Sequence, residues 1–260
     1  MAQANRRRHG FQCPWHPAQL AGWAAFVLIL SVFYGLYTRL LAPSEPAAVA
    51  LSVCLYLAAA VLWCAACYCQ CVDPCDPALA TDHPRARTSG GSGAMPIDPD
   101  RNWCARCCAA VKARSVHCRE CHKCVDRYDH HCPWLNTCIG ARNYNAFLVM
   151  LGSALVVISL HLIGLAHAAA KLPELSAQLD AHGITSTTYA IALIVAAVVL
   201  LIVWVQLVVL AQLHAKLLCI GVTTYEYFQR YDEEPSWTCG AIAIAAARRW
   251  VSRVAPSPTI

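Results

Sequence analysis

Long apolar segments alternate with polar ones along the chain, and this alternation is the strongest pattern in the sequence. Four segments consist almost wholly of apolar residues: Ala21 to Leu40, Ala47 to Cys69, Ala146 to Ala170 and Tyr189 to Leu213. Each is near or above the roughly 20 residues that a helix needs to cross the hydrocarbon core of a bilayer. The pattern therefore predicts an all-α membrane protein with four transmembrane helices.

The polar segments divide the chain into six parts. The predicted parts are an N-terminal tail (1–20), a first transmembrane hairpin (21–71), a linker (72–100), a cysteine-rich domain (101–146), a second transmembrane hairpin (147–214) and a C-terminal tail (215–260). Most of the linker is rich in Pro, Gly, Ser and Asp, which is typical of a flexible connection. The cysteine-rich domain has too few apolar residues for a core of its own, so we expect metal ions to stabilise it.

Charge sets the expected orientation of the helices. The chain is 58% hydrophobic and 13% charged, whereas soluble proteins carry about 25% charged residues. With four spanning helices, 18 of the 20 Lys and Arg residues lie on the side of the two tails and the cysteine-rich domain. The positive-inside rule makes that side cytosolic. We expect a multi-pass protein of the endomembranes or the plasma membrane, with the lipid bilayer and no nucleic acid as a partner.

Cysteine and histidine cluster in the predicted cytosolic domain. Eight of the 17 cysteines lie between residues 104 and 138, in a compartment that favours metal binding or catalysis over disulfides. Two Cys-x-x-Cys units, Cys104/Cys107 and Cys118/Cys121, can each supply half of a tetrahedral zinc site. The other candidate ligands are His117, His122, Cys124, His130, His131, Cys132 and Cys138. Because the segment holds eight cysteines and four histidines, two four-ligand sites would leave at least one thiol unbound.

The run Asp129-His130-His131-Cys132 offers a way to activate a free thiol. A cysteine is nucleophilic as the thiolate, and a neighbouring imidazole takes its proton or lowers its pKa. In an extended segment, alternate residues share a face, so His130 and Cys132 would point together while His131 points toward a metal. An Asp that orients the imidazole would complete a triad. Placing Asp129 beside His130 requires a turn that this spacing does not specify.

The same segment resembles the cysteine-rich domain of the DHHC family of protein S-acyltransferases. The family pattern is C-x2-C-x9-H-C-x2-C-x2-C-x4-D-H-H-C-x5-C-x4-N-x3-F. This sequence meets it at Cys104, Cys107, His117, Cys118, Cys121, Cys124, Asp129, His130, His131, Cys132, Cys138, Asn143 and Phe147. Residues 223–226, Thr-Thr-Tyr-Glu, match the family's TTxE motif just after the fourth helix.

The resemblance implies an enzyme that moves a long-chain acyl group from acyl-CoA to membrane-proximal cysteines of client proteins. Cys132 would carry the acyl group as a thioester, His130 would act as base, and Asp129 would orient His130. The resemblance also implies two structural zinc ions, one held by Cys104, Cys107, His117 and Cys124 and the other by Cys118, Cys121, His131 and Cys138. Thr224 would hydrogen-bond near Asp129, and Asn143 would buttress the domain against the helices.

Several assignments have more than one interpretation. Lys112 and Arg114 lie between predicted ligands, where they meet either the phosphates of CoA or only solvent. Cys108 and His122 fall outside the pattern, and we expect a bystander thiol and a surface imidazole. The cysteines of residues 64–75 are either acylated or simply buried. A zinc-braced scaffold without catalysis would need the ligands but not the Asp-His-His-Cys run, and a transporter would need polar residues along several helices.

Overall fold

The computed structural model describes residues 6–43, 45–80 and 101–230. Its helices are α1 (Pro17–Phe33), α2 (Arg39–Leu41), α3 (Pro46–Cys71), α4 (Pro77–Ala80), α5 (Tyr144–Ala170), α6 (Leu172–Ala181), α7 (Ser186–Ile220) and α8 (Thr224–Arg230). A single π-helical turn, Tyr34–Thr38, joins α1 to α2. Most of the predicted linker and the C-terminal tail beyond residue 230 lie outside the described residues.

Four helical segments of the described chain are long and apolar enough to cross a membrane. They are Pro17–Leu41, Pro46–Cys71, Tyr144–Ala170 and Ser186–Ile220. Large apolar side chains such as Leu28, Leu57 and Ile194 are more than 60% exposed on these helices, as expected of surfaces that lipid covers. The prediction of an all-α membrane protein with four transmembrane helices and a cysteine-rich domain between the second and third is confirmed.

Chain contacts divide the molecule into two compact units. The helical unit comprises residues 20–65 and 148–213. Its core contains Phe33, Leu55 and Leu193, and the fully buried ring of His161 packs edge-on against Phe33 at a centroid distance of 4.9 Å. Between its apolar helices, α6 forms a helix of ten residues.

The second unit, called the cysteine-rich unit below, comprises residues 6–19, 66–80, 101–147 and 214–230 of the described chain. It contains three separate antiparallel hairpins. Strand β1 (Arg101–Cys104) pairs with β2 (Ala109–Lys112), β3 (Val116–Cys118) with β4 (Lys123–Val125), and β5 (His130–Cys132) with β6 (Thr137–Ile139). The register places His117 opposite Cys124 and His131 opposite Cys138. Isolated two-stranded hairpins are marginal in water. Strands of three or four residues therefore depend on the side chains that join the hairpins.

Helix α7 ends at a glycine that turns the chain toward the cysteine-rich unit. Gly221 has φ +70°, the left-handed conformation that favours glycine at a helix C-terminus. Helix α8 then begins with a capping box. The Thr223 hydroxyl accepts a hydrogen bond from the Glu226 N–H (3.2 Å), and the Glu226 carboxylate accepts one from the Thr223 N–H (2.9 Å). The turn fixes the position of Thr224.

Candidate active site and metal centres

The first cluster consists of Cys104, Cys107, His117 and Cys124. The Cys107 Sγ lies 3.2 Å from the His117 Nδ1 and 3.6 Å from the Cys124 Sγ. The Cys104 Sγ lies 3.7 Å from the same imidazole nitrogen. A tetrahedral zinc ion with bonds of about 2.3 Å to sulfur and about 2.0 Å to nitrogen holds its ligand atoms roughly 3.5–3.8 Å apart. The donor set and these separations fit one zinc ion.

The second cluster consists of Cys118, Cys121, His131 and Cys138. Its imidazole again presents Nδ1, which lies 3.4 Å from the Cys121 Sγ and 3.7 Å from the Cys138 Sγ. The Cys121 and Cys138 sulfurs are 3.5 Å apart. These atoms satisfy the same tetrahedral test as the first cluster. The described part of the chain therefore contains two Cys₃His groups, and both can bind zinc.

The β3–β4 hairpin contributes to both clusters. His117 and Cys124 face each other across the hairpin and belong to the first cluster. Cys118, the next residue after His117, belongs to the second cluster because successive side chains of a strand point to opposite faces. The hairpin thus joins the two groups through its own backbone.

Strand β5 separates the two histidines of the central run. His131 enters the second cluster, whereas the His130 ring forms a hydrogen bond with the Cys132 side chain. This is the alternation that an extended segment requires. Cys132 is 5% exposed and belongs to neither metal-ligating group of the described residues.

Asp129 is held beside His130 by a residue from α8. The Asp129 Oδ2 lies 2.8 Å from the His130 Nδ1. Asp129 also accepts hydrogen bonds from the Thr224 N–H (2.8 Å) and the Thr224 hydroxyl (2.9 Å). The carboxylate is 1% exposed, and its backbone N–H donates to the Ile139 carbonyl. A buried carboxylate with these partners holds the imidazole in one orientation and one tautomer.

The two charges of this pair stabilise each other. Burial alone would raise the pKa of Asp129, but the hydrogen bonds and charge of His130, with the Thr224 N–H, hold it below its usual value. Burial alone would lower the pKa of His130, but Asp129 and Cys132 raise it to about 10. The imidazolium is therefore favoured at neutral pH.

Comparison with known proteins identifies the family. The model of the DHHC palmitoyltransferase family matches residues 97–231, just over half of the chain. The chain belongs to the DHHC palmitoyltransferase family. The resemblance found from the sequence motifs is thereby confirmed, and the match includes both clusters, the Asp-His-His-Cys run and the TTxE motif.

Relatives within the DHHC palmitoyltransferase family align with about a quarter of the chain. The chain is 51% identical over 51 residues to palmitoyltransferase AKR1 of Mortierella alpina, 20% of this chain and 9% of that protein. It is 47% identical over 62 residues to palmitoyltransferase ZDHHC8 of Mus musculus, which is 24% of this chain and 8% of that protein. It is 41% identical over 70 residues to palmitoyltransferase ZDHHC23 of Homo sapiens, which is 27% of this chain and 17% of that protein. The chain thus spans less than a fifth of the length of these relatives.

Another residue of the DHHC motif, Asn143, makes structural contacts around this site. Asn143 is fully buried and accepts a hydrogen bond from the Gly140 N–H (2.9 Å). Its amide donates to the carbonyls of Cys138 (2.9 Å) and Cys69 (3.4 Å). Asn143 therefore connects a ligand of the second cluster to the end of α3.

The two cations that the sequence suggested for CoA both contact carboxylates. The Lys112 ammonium lies 2.6 Å from Asp126. The Arg114 guanidinium contacts both carboxylate oxygens of Glu226, with Nε 2.6 Å from Oε1. Arg114 also lines a cavity of about 320 Å³, together with Arg127 and residues at the ends of α5 and α7. Lys112 is not among its lining residues.

Cys108 and His122 occupy equivalent positions in the first and second Cys-x-x-Cys turns. Each directly follows the second cysteine and has a positive φ, +48° at Cys108 and +51° at His122. Both are exposed, and neither belongs to a cluster. The Cys108 thiol donates to the Ala105 carbonyl at 3.3 Å.

Sequence reasoning missed residues that support the site from a distance. Asp76 is fully buried, and its carboxylate accepts hydrogen bonds from the Lys112 N–H (3.0 Å), the Ser115 hydroxyl and the Ala78 N–H (2.8 Å). The fully buried Lys123 pairs with Asp73 at 2.6 Å. An Asp-Pro pair just after a helix is a capping signal, but no periodicity indicates its long-range partners.

A second imidazole lies beside the Asp-His-His-Cys run. His214, near the end of α7, is 2% exposed, and its Nδ1 is 3.1 Å from the Tyr144 hydroxyl. Its ring packs against Phe147 at 5.0 Å, and Phe147 packs against His130 at 5.3 Å. The centroids of the Phe147 and His214 rings lie 5.3 and 6.5 Å from that of His130, so both rings are neighbours of this imidazole. The apolar composition of the helix gave no sign of this contact.

Proposed function

We propose that this protein is a protein S-acyltransferase that moves a long-chain acyl group from acyl-CoA to cysteines of client proteins. One observation carries the proposal. Cys132 lies outside both metal-ligating groups and forms a hydrogen bond with an imidazole that a buried carboxylate orients. Family membership supports palmitoyl transfer in particular.

In the proposed reaction His130 is the base: it holds the proton of the Cys132 thiol as an imidazolium, and the sulfur reacts as the thiolate. The sulfur attacks the thioester carbonyl carbon of acyl-CoA, and the new Cys132–acyl bond forms as the bond between the carbonyl and the CoA sulfur breaks. His130 delivers its proton to the departing CoA sulfur, which leaves as the thiol. Asp129 stabilises the imidazolium between these steps.

The second half of the reaction reverses the first with a different thiol. A client cysteine gives its proton to His130, and its sulfur attacks the acyl carbonyl on Cys132. The client thioester forms, and the Cys132 sulfur recovers the proton from His130. The scheme is a ping-pong mechanism, because CoA leaves before the acyl group reaches the client.

Zinc would be held by the first cluster and by the second cluster. With four protein ligands a zinc ion has no open position, so it supplies bracing for the fold rather than a site for substrate. The short hairpins would then keep Cys132 and His130 in register. The second cluster includes His131, so zinc bound there would hold the strand that carries Cys132 in place.

Part of the CoA head group would occupy the 320 Å³ cavity. Arg114 and Arg127 line it and can contact phosphate oxygens. Tyr144 and Leu217, at the ends of two apolar helices, line it as well, and an acyl chain can enter the bilayer at that level. The case for Lys112 rests only on its exposure, because it lies outside the cavity lining.

The active site would face the cytosol, in an endomembrane or the plasma membrane. This orientation is supported by the 18 of 20 cations on the side of the tails and the cysteine-rich domain. Clients would present cysteines close to the bilayer, since a thioester on Cys132 near the helix ends meets only thiols at that level.

Labelling with an alkyne-tagged long-chain acyl-CoA tests the proposal. Purified wild-type protein in lipid nanodiscs should acquire a label that hydroxylamine removes, and should pass it to a membrane-tethered cysteine peptide. Cys132→Ser should lose both labelling and transfer, while Cys108→Ser keeps both. Transfer by Cys132→Ser would refute the mechanism. Wild-type protein that binds two zinc ions but takes no label would instead be a scaffold.

A further inference from the structure

The hairpin that carries Cys132 has two faces with different contents. Its register pairs the three residues of β5 with the three of β6: His130 with Ile139, His131 with Cys138, and Cys132 with Thr137. Side chains alternate between the faces along each strand, and directly opposite residues share a face. The middle pair belongs to the second cluster. The two outer pairs lie on the opposite face, so Thr137 shares a face with Cys132 and His130.

The Thr137 hydroxyl is a buried polar group without a hydrogen-bond partner in the protein. Thr137 is 0% exposed, and none of the residues that the structure describes forms a hydrogen bond with its Oγ1. Buried hydroxyls in native proteins are almost always paired, because an unpaired one loses the hydrogen bonds that it would make with water. An unpaired donor directly opposite Cys132 therefore indicates a partner that arrives from outside the chain.

The position of this hydroxyl suits a group that is attached to the Cys132 sulfur. The Cβ atoms of directly opposite residues lie about 4.5–5.5 Å apart, and both side chains project from the same face. The Cys132 side chain forms its hydrogen bond with the His130 ring and none with the Thr137 hydroxyl. An acyl group on Cys132 carries its carbonyl oxygen two bonds beyond the sulfur. That oxygen can come within hydrogen-bond distance of Thr137.

The carbonyl oxygen is also the atom at which the proposed reaction needs a donor. When the Cys132 sulfur bonds to the carbonyl carbon, an electron pair of the C=O double bond moves to the oxygen, and it returns when the CoA sulfur leaves. His130 acts on the sulfur atoms and their proton, and Asp129 acts on His130, so neither holds that oxygen. Preorganised donors aimed at such an oxyanion are usually the largest single contribution to catalysis of acyl transfer.

We propose that Thr137 is a further catalytic residue, whose hydroxyl donates a hydrogen bond to the acyl carbonyl oxygen in both half-reactions. The inference rests on the proposed function, because it needs the acyl group on Cys132. The covalent bonds and proton transfers are those of the proposed reaction, and Thr137 keeps its proton throughout. Because the hydrogen bond is strongest when the oxygen is charged, it lowers the barrier rather than only tightening the binding of acyl-CoA.

Single-turnover labelling of the protein in lipid nanodiscs with an alkyne-tagged acyl-CoA tests the inference. Thr137→Val keeps the shape of the side chain without the hydroxyl, and its labelling at saturating acyl-CoA should be about 100-fold slower, with the half-saturating concentration unchanged. Thr137→Ser keeps the hydroxyl and should recover most of the rate. Thr187→Val, at an exposed threonine at the start of α7, should label at the wild-type rate.

Thermal stability separates this role from a structural one. Thr137→Val removes an unpaired buried hydroxyl, so its thermal midpoint should equal or exceed that of the wild type, and its zinc content should be unchanged. A structural role predicts that stability falls together with the labelling rate. A slow Thr137→Val protein that has also lost zinc or thermal stability would therefore overturn the inference.

Infrared spectroscopy of the acyl-enzyme detects the hydrogen bond directly. Acyl-CoA with ¹³C at the carbonyl carbon identifies the thioester stretch on Cys132, and Thr137→Val should move this stretch to higher wavenumber because the carbonyl loses a donor. A stretch that does not move would contradict the inference. If wild-type protein takes no label, the proposed function fails and the inference with it. If wild type and Thr137→Val label at the same rate, the inference alone fails.

Discussion

The first and second clusters use the same ligands in different surroundings. Each combines three cysteines with one imidazole through Nδ1, and each takes two sulfurs from a Cys-x-x-Cys turn. All four ligands of the second cluster are buried, whereas three of the four in the first are partly exposed. The second cluster also packs against Val125 and Tyr128 in an apolar core. Identical coordination chemistry therefore does not mean identical importance for the fold.

The surroundings differ because of what each cluster joins. The first cluster ties the β1–β2 hairpin to the β3–β4 hairpin. The second ties the β3–β4 hairpin to the hairpin that carries Cys132. Its Cys121 carbonyl also receives the N–H of Arg7 from the N-terminal tail. Loss of the second cluster would therefore release the strand that carries Cys132, whereas loss of the first would release the β1–β2 hairpin.

The largest expected effect is the loss of a second-cluster ligand. Cys121→Ser should remove zinc from that cluster and unfold much of the cysteine-rich unit, because zinc binding contributes about 10–16 kcal/mol in small zinc domains. This exceeds or matches the roughly 5–15 kcal/mol that stabilises a whole domain. Zinc measured by mass spectrometry should fall to one ion per chain or fewer. Acyl transfer should fall by about 100-fold or more, which is about 2.7 kcal/mol.

The matched substitution in the first cluster should cost less. Cys107→Ser removes the equivalent sulfur of the other Cys-x-x-Cys turn, but it leaves the second cluster and the hairpin of Cys132 intact. We expect one zinc ion per chain and acyl transfer reduced about tenfold, or about 1.4 kcal/mol. Cys108→Ser serves as the control, with two ions retained. Equal losses in Cys107→Ser and Cys121→Ser would show that the two clusters fold as one indivisible group.

Sequence patterns were sufficient for the long helices and for the ligand sets. Apolar runs of 20 or more residues identify membrane helices because no other structure satisfies the backbone in lipid. The resemblance to the DHHC family implied the two groups of Cys and His that the structure brings together. The alternation of an extended strand likewise predicted that His130 and Cys132 share a side, and the structure has this arrangement. Their catalytic roles stay predictions.

Long-range contacts could not be predicted from residue spacing alone. The hydrogen bonds between Thr224 and Asp129, which are 95 positions apart, were implied only by the family resemblance. The Asn136 contact with Gly10 spans 126 positions. The hairpins were missed because strands of three or four residues are too short for a period of two to register. Such contacts depend on tertiary structure, which local propensity and residue spacing do not determine.

The ion pair between Arg114 and Glu226 allows a pH test of intermediate size. Burial would raise the pKa of Glu226, but Arg114 and the Thr223 N–H lower it. The folded-state pKa is thus below the unfolded value of about 4.3, so the pair stabilises the protein above that pH and the gain is lost as pH falls through the folded value. Glu226→Gln should lower stability by about 1 kcal/mol at pH 7, seen as a lower thermal midpoint.

The difference between wild type and Glu226→Gln should then narrow below about pH 4.3. Both proteins lose zinc in acid as their thiolates are protonated. The difference between their thermal midpoints therefore reports the ion pair and not the zinc clusters. Glu120→Gln, at an exposed position of the same unit, should change the midpoint little at any pH. If the difference in thermal midpoint between wild type and Glu226→Gln stays constant into strong acid, the loss of the carboxylate charge is not the cause of that difference.

The smallest effect probes the turns themselves. Cys108 and His122 have nearly the same positive φ, +48° and +51°, and a left-handed conformation costs a non-glycine residue about 1–2 kcal/mol. Glycine removes this strain but adds about 0.5–1 kcal/mol of unfolded-state entropy, so either residue→Gly should stabilise by up to about 1 kcal/mol. Chemical denaturation of the zinc-loaded protein measures both. The two turns share their backbone geometry, although the clusters beside them differ in burial, so the two gains in stability should be equal. A gain confined to Cys108→Gly would show that the turns themselves differ, and not only the surroundings of the clusters.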